Sequence, residues 1–480
     1  MRNKFEQQHK LGIIPISEIK LPLKSRDGLP PILRVLQHIF RISWVRLSII
    51  LLAVFLTLSV DGGVHLTSSD DGCDYESFEF VMGTDYYAPP KISMPKKGNC
   101  ITDKNFHTKL ARITNKKADG YSGPGIGNEY SKIDPENSDG TCFVLRGNNG
   151  TWYLYNALTS KKIKQLTVFN SCGWEEPEPR WVPSNPKIFY YLCDTELKSY
   201  NIDTDVSTTI HDFKNDFPSA ASITTKTEGD ASLDRRYWCF MVQDSDYNLL
   251  AVVVYDKTVD KIVGQKEGGF PDILNWVGMS MSGNYAIIGY SDEAIYTSIF
   301  SRDFSKRIDL PYGAAGHGDA ALTQDGKDVY VYQNVATDYI AMADMETGAE
   351  TPLVEIPFSI NTDIGLHVSG NCSQTPGWVL VSTYGAKKPP KKKRHSWMDT
   401  QLFMVELKAD PRIWRIAHTH SYTAPRDTGK KNYFAEAFAA INLKGTKIYF
   451  GSNWGRFRPR NYTDTYQVIL PDNWVNEMPE

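Results

Sequence analysis

The sequence predicts an all-β fold: a seven-bladed β-propeller preceded by an N-terminal hydrophobic signal or anchor segment. The first observation behind this prediction is a hairpin in the stretch GHGDAALTQDGKDVYVY, which ends at Tyr332. Asp325 and Gly326 separate a short strand from an alternating strand that begins at Val329. Asp-Gly between two such runs favours a tight turn, because glycine supplies a positive φ without strain.

The second observation is that the chain contains seven copies of this hairpin, including the one just described. The third is that most copies continue into a second hairpin. Most copies start about 42 to 50 residues apart, and the last interval is about 70 residues because it holds extra loops at 385–394 and 418–431. Four strands at a period near 45 residues indicate a propeller blade. The copies start at Glu129, Glu178, Glu228, Leu274, Gly316, Gly365 and Glu436.

Ring closure follows from the same physics. A four-stranded sheet cannot bury both faces alone, whereas seven sheets packed around an axis bury all of them and leave only short edges. The ends of the ring must meet, so a strand from before Glu129 is expected to complete the last blade beside residues 466–470. A β-sandwich, or a pair of smaller β domains, is the alternative architecture.

The chain ahead of the repeats divides into three parts. Residues 1–46 form a tail outside the fold, 47–60 an uncharged apolar segment, and 61–105 a linker with a first edge strand, before the propeller at 106–480. At 1.5 Å per residue the apolar segment spans about 21 Å, less than the roughly 30 Å of a membrane core. With Arg41 and Arg46 ahead of it, it fits a signal or an uncleaved anchor, and a buried helix is the alternative. The sequence therefore predicts export, either membrane-anchored or periplasmic or extracellular.

Charge and cysteines refine the setting. A net charge of −3 gives no bias toward nucleic acid. Export favours disulfides, and Cys73 with Cys100 is the expected pair because both lie in the irregular segment before the repeats. Cys142, Cys193 and Cys239 lie in apolar strand runs and are predicted to be core residues.

Several strings in the repeats carry a family resemblance. GHGD, GLHVSGN followed by PGWVLVSTY, and GSNWG make the chain from about residue 106 to 470 resemble an exported branch of the TolB-like bacterial propellers. Oligogalacturonate lyases resemble this architecture too. That likeness implies a manganese ion held by histidines in the central opening.

The start of each inner strand points at the propeller axis, so the residues there are the candidate site. Imidazole and carboxylate suit Mn, Ca or Zn, and such an ion would acidify the proton next to a uronate carboxylate. The predicted catalytic residues are His317, Arg180 and Asp230. The predicted ligand-binding residues are Glu178, Asp319, Asn275 and Trp276. The predicted metal ligands are His317, His367, Glu436, His418 and His420.

Each of these residues also has a structural interpretation. His317, Asp319 and His367 would tie neighbouring blades together, Glu178 with Arg180 would form a buried inter-blade salt bridge, and His418 and His420 would lie in a solvated loop. The resemblance to the lyases also implies a further histidine near the start of the last blade, but Phe438 follows Glu436 there and no histidine is near. One ion can hold both His317 and His367 only if their imidazoles lie within about 10 Å.

Three functions remain open at the level of sequence. The first is a propeller that binds a ligand or partner at its central opening without chemistry. The second is a metal-dependent polysaccharide lyase that acts on uronate-containing oligosaccharides. The third is a scaffold for envelope proteins, which follows from fold-level analogy alone. The expected partners are an acidic oligosaccharide or an envelope protein, with the membrane added if residues 47–60 are uncleaved.

Overall fold

The computed structural model describes residues 73–291, 297–311, 317–360, 362, 364–385, 387–388, 395–425 and 431–479. These residues form seven sheets of four or five strands, so the predicted seven-bladed β-propeller is confirmed. The apolar segment at 47–60 lies outside the described residues. Within them, no helix has the length and apolar character needed to cross a bilayer.

The chain enters the fold through two short strands and then builds its blades in order. Those strands are β1 (Cys100–Thr102) and β2 (Lys109–Arg112), and the short helix α1 (Lys116–Asp119) follows. Blade 1 contains β3 (Ile126–Gly127), β4 (Cys142–Gly147), β5 (Trp152–Asn156) and β6 (Lys162–Gln165). Blade 2 contains β7 (Arg180–Val182), β8 (Asn185–Cys193), β9 (Glu196–Asn201) and β10 (Val206–Asp212). Blade 3 contains β11 (Ser222–Thr224), β12 (Tyr237–Gln243), β13 (Leu249–Asp256) and β14 (Lys261–Lys266).

The next three blades repeat the same antiparallel order. Blade 4 contains β15 (Leu274–Met279), β16 (Tyr285–Tyr290), β17 (Thr297–Ser301) and β18 (Arg307–Asp309). Blade 5 contains β19 (Asp319–Leu322), β20 (Asp328–Asn334), β21 (Tyr339–Asp344) and β22 (Glu350–Glu355). Blade 6 contains β23 (Gly365–Ser369), β24 (Trp378–Tyr384), β26 (Gln401–Glu406) and β27 (Ile413–His418). A separate parallel pair, β25 (Lys387–Lys388) with β28 (Ala424–Pro425), joins the extra loops of this blade.

Blade 7 closes the ring with strands from both ends of the propeller. It contains β29 (Ala440–Ile441), β30 (Lys447–Ser452) and β31 (Asp464–Ile469), and the chain then ends in the short helix α2 (Trp474–Glu477). β2 pairs antiparallel with β31, from Lys109 opposite Ile469 to Arg112 opposite Tyr466. The expected closing strand beside residues 466–470 is thus confirmed.

The core consists of apolar clusters between neighbouring blades, and the alternation of the strands explains them. In β20, Val329 and Val331 pack toward blade 6, whereas Tyr330 and Tyr332 pack toward blade 4. Successive side chains of a strand point to opposite faces, so a strand buried on both faces carries apolar residues at every position. Before β20, Gly326 adopts the expected positive φ of 81° at the hairpin turn.

Two disulfides tie irregular segments to the fold. Cys73 bonds to Cys100, as the sequence predicts. Cys172 bonds to Cys193, so the prediction that Cys193 is a plain core residue is wrong. The apolar run of β8 hid this pairing, because its partner lies in the loop after blade 1 and is adjacent only in the folded chain. Cys142, Cys239 and Cys372 are buried free thiols.

Candidate axial site

Blade 1 departs from the other blades at its innermost strand. Ile126 pairs with Gly147 and Gly127 with Arg146, a register that would place Tyr130 opposite Phe143. Glu136 lies there instead, six residues later in the chain. The extra residues form a bulge at 128–135, which we call the axial bulge. The first copy of the repeat, predicted to start at Glu129, therefore begins within this bulge, and the innermost strand β3 lies just ahead of it.

The axial bulge occupies the centre of the ring. The Tyr130 ring lies 5.3 Å from the ring of His367 in blade 6 and 5.2 Å from that of Phe438 in blade 7. The Lys132 ammonium lies 3.4 Å from the ring centre of Trp276 in blade 4. One short segment can contact blades on opposite sides of the ring only along the axis. The chain therefore fills part of its own central opening.

Three of the predicted metal ligands meet beside this bulge. The imidazole ring centres of His317 and His367 are 5.1 Å apart, within the limit for sharing one ion. His367 Nε2 lies 3.4 Å from Glu436 Oε2. The ring of Tyr384 stacks on His367 at 4.9 Å with an angle of 22° between the planes. His317 and His367 belong to consecutive blades, and Glu436 precedes the first strand of the next.

Burial sets the protonation of this cluster. Desolvation, with the nearby His317, holds the pKa of His367 well below its usual value, so this imidazole is neutral. Burial also raises the pKa of the Glu436 carboxyl to about 7. The contact between the two is therefore not a full ion pair at neutral pH. His317 Nδ1 lies 3.2 Å from the carbonyl oxygen of Leu366, which can only accept, so this nitrogen carries the hydrogen.

The cluster does not amount to a metal centre. Among the residues that the structure describes, no three histidine, cysteine, aspartate or glutamate side chains converge closely enough to hold an ion. Two imidazoles and one carboxyl equal the three protein ligands of a catalytic zinc site in number, but the three side chains do not converge closely enough here, and the carboxyl is half protonated at neutral pH. The chemistry open to these residues is hydrogen bonding and proton transfer by the side chains themselves.

His418 and His420 are placed elsewhere. His418 ends β27, the outermost strand of blade 6, whereas His367 lies on the innermost strand of that blade. Gln401 Nε2 lies 2.7 Å from His418 Nδ1, and the His420 ring packs 4.3 Å from that of Trp454. Both histidines are buried in the rim, so the structure does not bring them to the axis.

Arg180 and Glu178 belong to a buried ionic network between blades. Arg180 Nη1 donates to Glu129 Oε2 at 2.8 Å, and its other nitrogens lie 3.7 Å from Glu178 Oε2 and 3.5 Å from Asp230 Oδ1. Glu178 accepts hydrogen bonds from the hydroxyl of Thr224 at 2.9 Å. These contacts match the inter-blade salt bridge that the sequence left open, and any role in catalysis or ligand binding stays a prediction.

The remaining predicted residues divide by exposure. Asp319 is buried, accepts from the backbone N–H of Gly370 at 2.8 Å, and has its pKa raised to about 7 by desolvation. Trp276 is buried beneath the ammonium of Lys132, while Asn275 is exposed. Asp230 lies 2.7 Å from Arg235 Nη1 and lines a small void together with Trp276 and Asp319.

A larger cavity of about 220 Å³ opens beside the bulge, and we call it the axial cavity. At roughly 30 Å³ per molecule it has room for about seven waters. Two buried polar atoms at its wall, Asn128 Oδ1 and Glu129 Oε1, have no hydrogen-bond partner, and neither ring nitrogen of His367 has one. Tyr130 and Phe438 contact the His367 ring and line the cavity as well, so cavity and cluster adjoin.

The sequence-based analysis missed the aromatic residues of this site. Tyr384 lies at the end of the second strand of its blade, whereas the sequence-based prediction considered only the starts of the innermost strands. Gly365 was the available signal: a Cβ at this position would meet the Tyr384 ring at 2.3 Å, so only glycine admits the ring above His367. Tyr130 and Lys132 lie in the first copy of the repeat. Nothing in the sequence there indicates six residues more than a regular strand would need.

The raised pKa of Glu436 predicts a stability that depends on pH. An acid whose folded pKa is about 7, above its unfolded value, contributes stability that is present at low pH and lost as pH rises through 7. We expect Glu436→Gln to flatten the fall in unfolding free energy between about pH 5 and 7, by at most about 1.4 kcal/mol per pH unit. Urea unfolding of both proteins at several pH values measures this. Equal slopes would contradict it, since the other buried carboxyls are common to both.

Comparisons with known proteins support the architecture. No family model matches the sequence, and no curated protein matches it. Among solved structures, the chain is similar to an oligogalacturonate lyase in complex with manganese, with a TM-score of 0.52 and 13% identity over 82% of this chain and 99% of that one. An oligogalacturonate lyase from Vibrio parahaemolyticus gives a TM-score of 0.52 and 12% identity over 78% and 97%. At such low identity the likeness shows the fold alone.

Proposed function

We propose that this protein binds a small ligand at the axial opening of its propeller. The observation that carries the proposal is the set of buried, unpartnered polar atoms around the axial cavity: His367 Nδ1, Asn128 Oδ1 and Glu129 Oε1. A buried polar group without a partner costs on the order of 1–3 kcal/mol. Several such groups in and beside one cavity indicate a site whose partner is a bound molecule, and a volume of about 220 Å³ limits that molecule to a small one.

Filling the axial cavity tests the proposal. Gly127 lines it, and a Cβ there would meet no atom within 4 Å, so Gly127→Phe is expected to occupy the cavity in a folded protein. A library of sugars, amines and small acids is screened by thermal unfolding of the wild type. A ligand present at about 100 times its Kd stabilises by roughly 2.7 kcal/mol.

The variant is expected to lose the stabilisation that the wild type shows. Gly173→Phe is the matched control, because Gly173 has similar room but lies at the loop before blade 2 and does not line the axial cavity. Ligands that stabilise wild type and Gly127→Phe equally would place the binding site elsewhere. A library without any stabilising member would count against the proposal.

A lyase acting on uronate-containing oligosaccharides is the second candidate. The observation that favours it is the neutral His367 beside His317 and Glu436, since a buried neutral imidazole can abstract a proton. The metal that the fold relatives suggest is not supported by the described donors, so the chemistry would rest on these side chains. Polygalacturonate that yields no ultraviolet-absorbing unsaturated product would exclude this candidate.

Export is part of the proposal. The two disulfides support it, because such bonds persist in oxidising compartments. Residues 47–60 would then act as the signal, or as an anchor that brings the propeller to a membrane surface. An acidic oligosaccharide or an envelope protein is the partner that this setting favours.

A further inference from the structure

The charges around the axial cavity favour a cation over an anion. Five carboxylates lie in or beside the described cavity wall: Glu129, Glu176, Glu178, Glu228 and Glu436. Of the basic side chains there, three are already paired with one of these acids, and a fourth, Lys431, lies near Glu436. Arg146 Nη2 pairs with Glu176 at 2.5 Å, Arg180 Nη1 with Glu129 at 2.8 Å, and Lys132 Nζ with Glu228 at 3.1 Å. An anionic ligand would have to displace an acid from one of these pairs.

Of the two unpartnered atoms that line the cavity, Asn128 Oδ1 is always an acceptor, and Glu129 Oε1 is an acceptor when the carboxyl is ionised. Asn128 Nδ2 donates to the carbonyl oxygens of Tyr130 and Phe438, which fixes the amide orientation and leaves Oδ1 as the atom without a partner. Glu129 Oε2 accepts from Arg180, and Glu129 Oε1 has no partner. An amide oxygen without a donor, and a carboxyl oxygen that lacks a donor once it is ionised, favour a ligand that brings N–H or O–H groups, or a positive charge.

Aromatic rings supply the rest of the wall. Tyr130, Tyr433, Phe434 and Phe438 line the cavity, and the Tyr433 and Phe438 rings lie 5.0 Å apart. Aromatic faces attract ammonium groups through the ring quadrupole, most strongly where water is excluded. Rings and acceptors, with a carboxyl at Glu129 that a bound cation would ionise, together form the chemistry that recognises an alkylated or protonated amine.

We propose that the axial cavity binds an organic cation, a small molecule with a quaternary or protonated ammonium group. This inference rests on the proposed function, because it names the ligand class of the same cavity. This ligand is opposite in charge to a uronate, whose carboxylate would lie among the carboxyl groups around the cavity. The ammonium would lie against Tyr433 and Phe438, within reach of Asn128 Oδ1 and Glu129 Oε1.

Proton release would accompany binding. Desolvation raises the pKa of Glu129 to about 8, despite the Arg180 guanidinium, so part of this carboxyl is protonated at neutral pH. A bound cation favours the carboxylate, and its affinity is therefore expected to rise as pH increases through 8. The other charged groups that act on Glu129 are Glu176, Glu178 and Arg146.

Choline is the probe, because its quaternary ammonium does not titrate. Calorimetric titration of the full chain at pH 6 and pH 9 is expected to show binding that tightens at pH 9. Tyr433 is 55% exposed, so we expect Tyr433→Ala to fold and to weaken binding about tenfold through the lost ring. Tyr433→Phe keeps the ring and the affinity. Tyr247→Ala is the matched control, since Tyr247 is equally exposed but packs against Trp174 outside the cavity.

A second variant reports on charge. Glu176→Gln leaves Arg146 without its acid, and is expected to weaken choline and to improve binding of digalacturonate, the competing anionic probe. Digalacturonate that binds the wild type more tightly than choline would overturn the organic-cation inference and leave the axial site in place. Choline binding that Gly127→Phe does not abolish would also overturn it. Failure of every library member to bind would remove the proposed function itself.

Discussion

Replacing Arg180 by methionine is expected to lower the free energy of unfolding by about 3 to 5 kcal/mol. The side chain is 2% exposed and lies among Glu129, Glu178 and Asp230. Methionine fills a similar volume but carries no charge, so the Glu129 and Glu178 carboxyls would lose their cation, whereas Asp230 would keep Arg235 Nη1 at 2.7 Å. Their repulsion and desolvation are the source of the loss, which urea unfolding at pH 7 measures.

The matched control is Arg146→Met, which removes the same side chain from a pair that water reaches. Arg146 and Glu176 are 24% and 30% exposed, and exposed pairs contribute about 0 to 1 kcal/mol. A loss below about 1 kcal/mol for Arg180→Met, or equal losses for both variants, would show that the network around Arg180 does not hold blades 1 to 3 together.

The fold could be predicted from the sequence because the features that define a propeller are local patterns. Turn residues, alternating strands and a regular period are each visible within one blade, and ring closure follows from burying sheet faces. The closing pair of β2 and β31 was predictable on the same ground. The pairing of Cys172 with Cys193 was not, because it depends on where a loop lies in space.

The site was predicted only in part, and for a related reason. Strand starts converge at the axis, which is why His317, His367 and Glu436 meet as expected. His418 failed to join them because the order of strands within blade 6 puts it at the rim. The axial bulge could not be predicted, because this segment is as polar and as short as the start of an ordinary strand. Its burial arises from contacts with blades far away in sequence.

Asp464→Ala is expected to be the most damaging change at the ring closure, with a loss of about 3 to 5 kcal/mol. The Asp464 carboxylate is fully buried and accepts from Arg112 Nη2 at 2.6 Å, Thr114 Oγ1 at 3.1 Å and the Tyr121 hydroxyl at 3.1 Å. It thereby joins β31 to the segment that follows β2. Alanine would leave the Arg112 guanidinium buried without its acid.

The loss of stability in Asp464→Ala is expected to affect β2 before the whole propeller unfolds. β2 pairs only with β31 and with the short edge strand β1. Amide exchange at Lys109–Arg112 is therefore expected to accelerate more than exchange in blade 4, at urea concentrations well below the unfolding midpoint. Asp203→Ala is the control, since Asp203 lies 3.5 Å from Lys187 Nζ with a side chain 57% exposed, and is expected to change stability by less than about 1 kcal/mol. If β2 and blade 4 lose protection from amide exchange together in Asp464→Ala, the propeller unfolds as one unit. The ion pair of Arg112 and Asp464 would then stabilise the whole ring and not its closing blade alone.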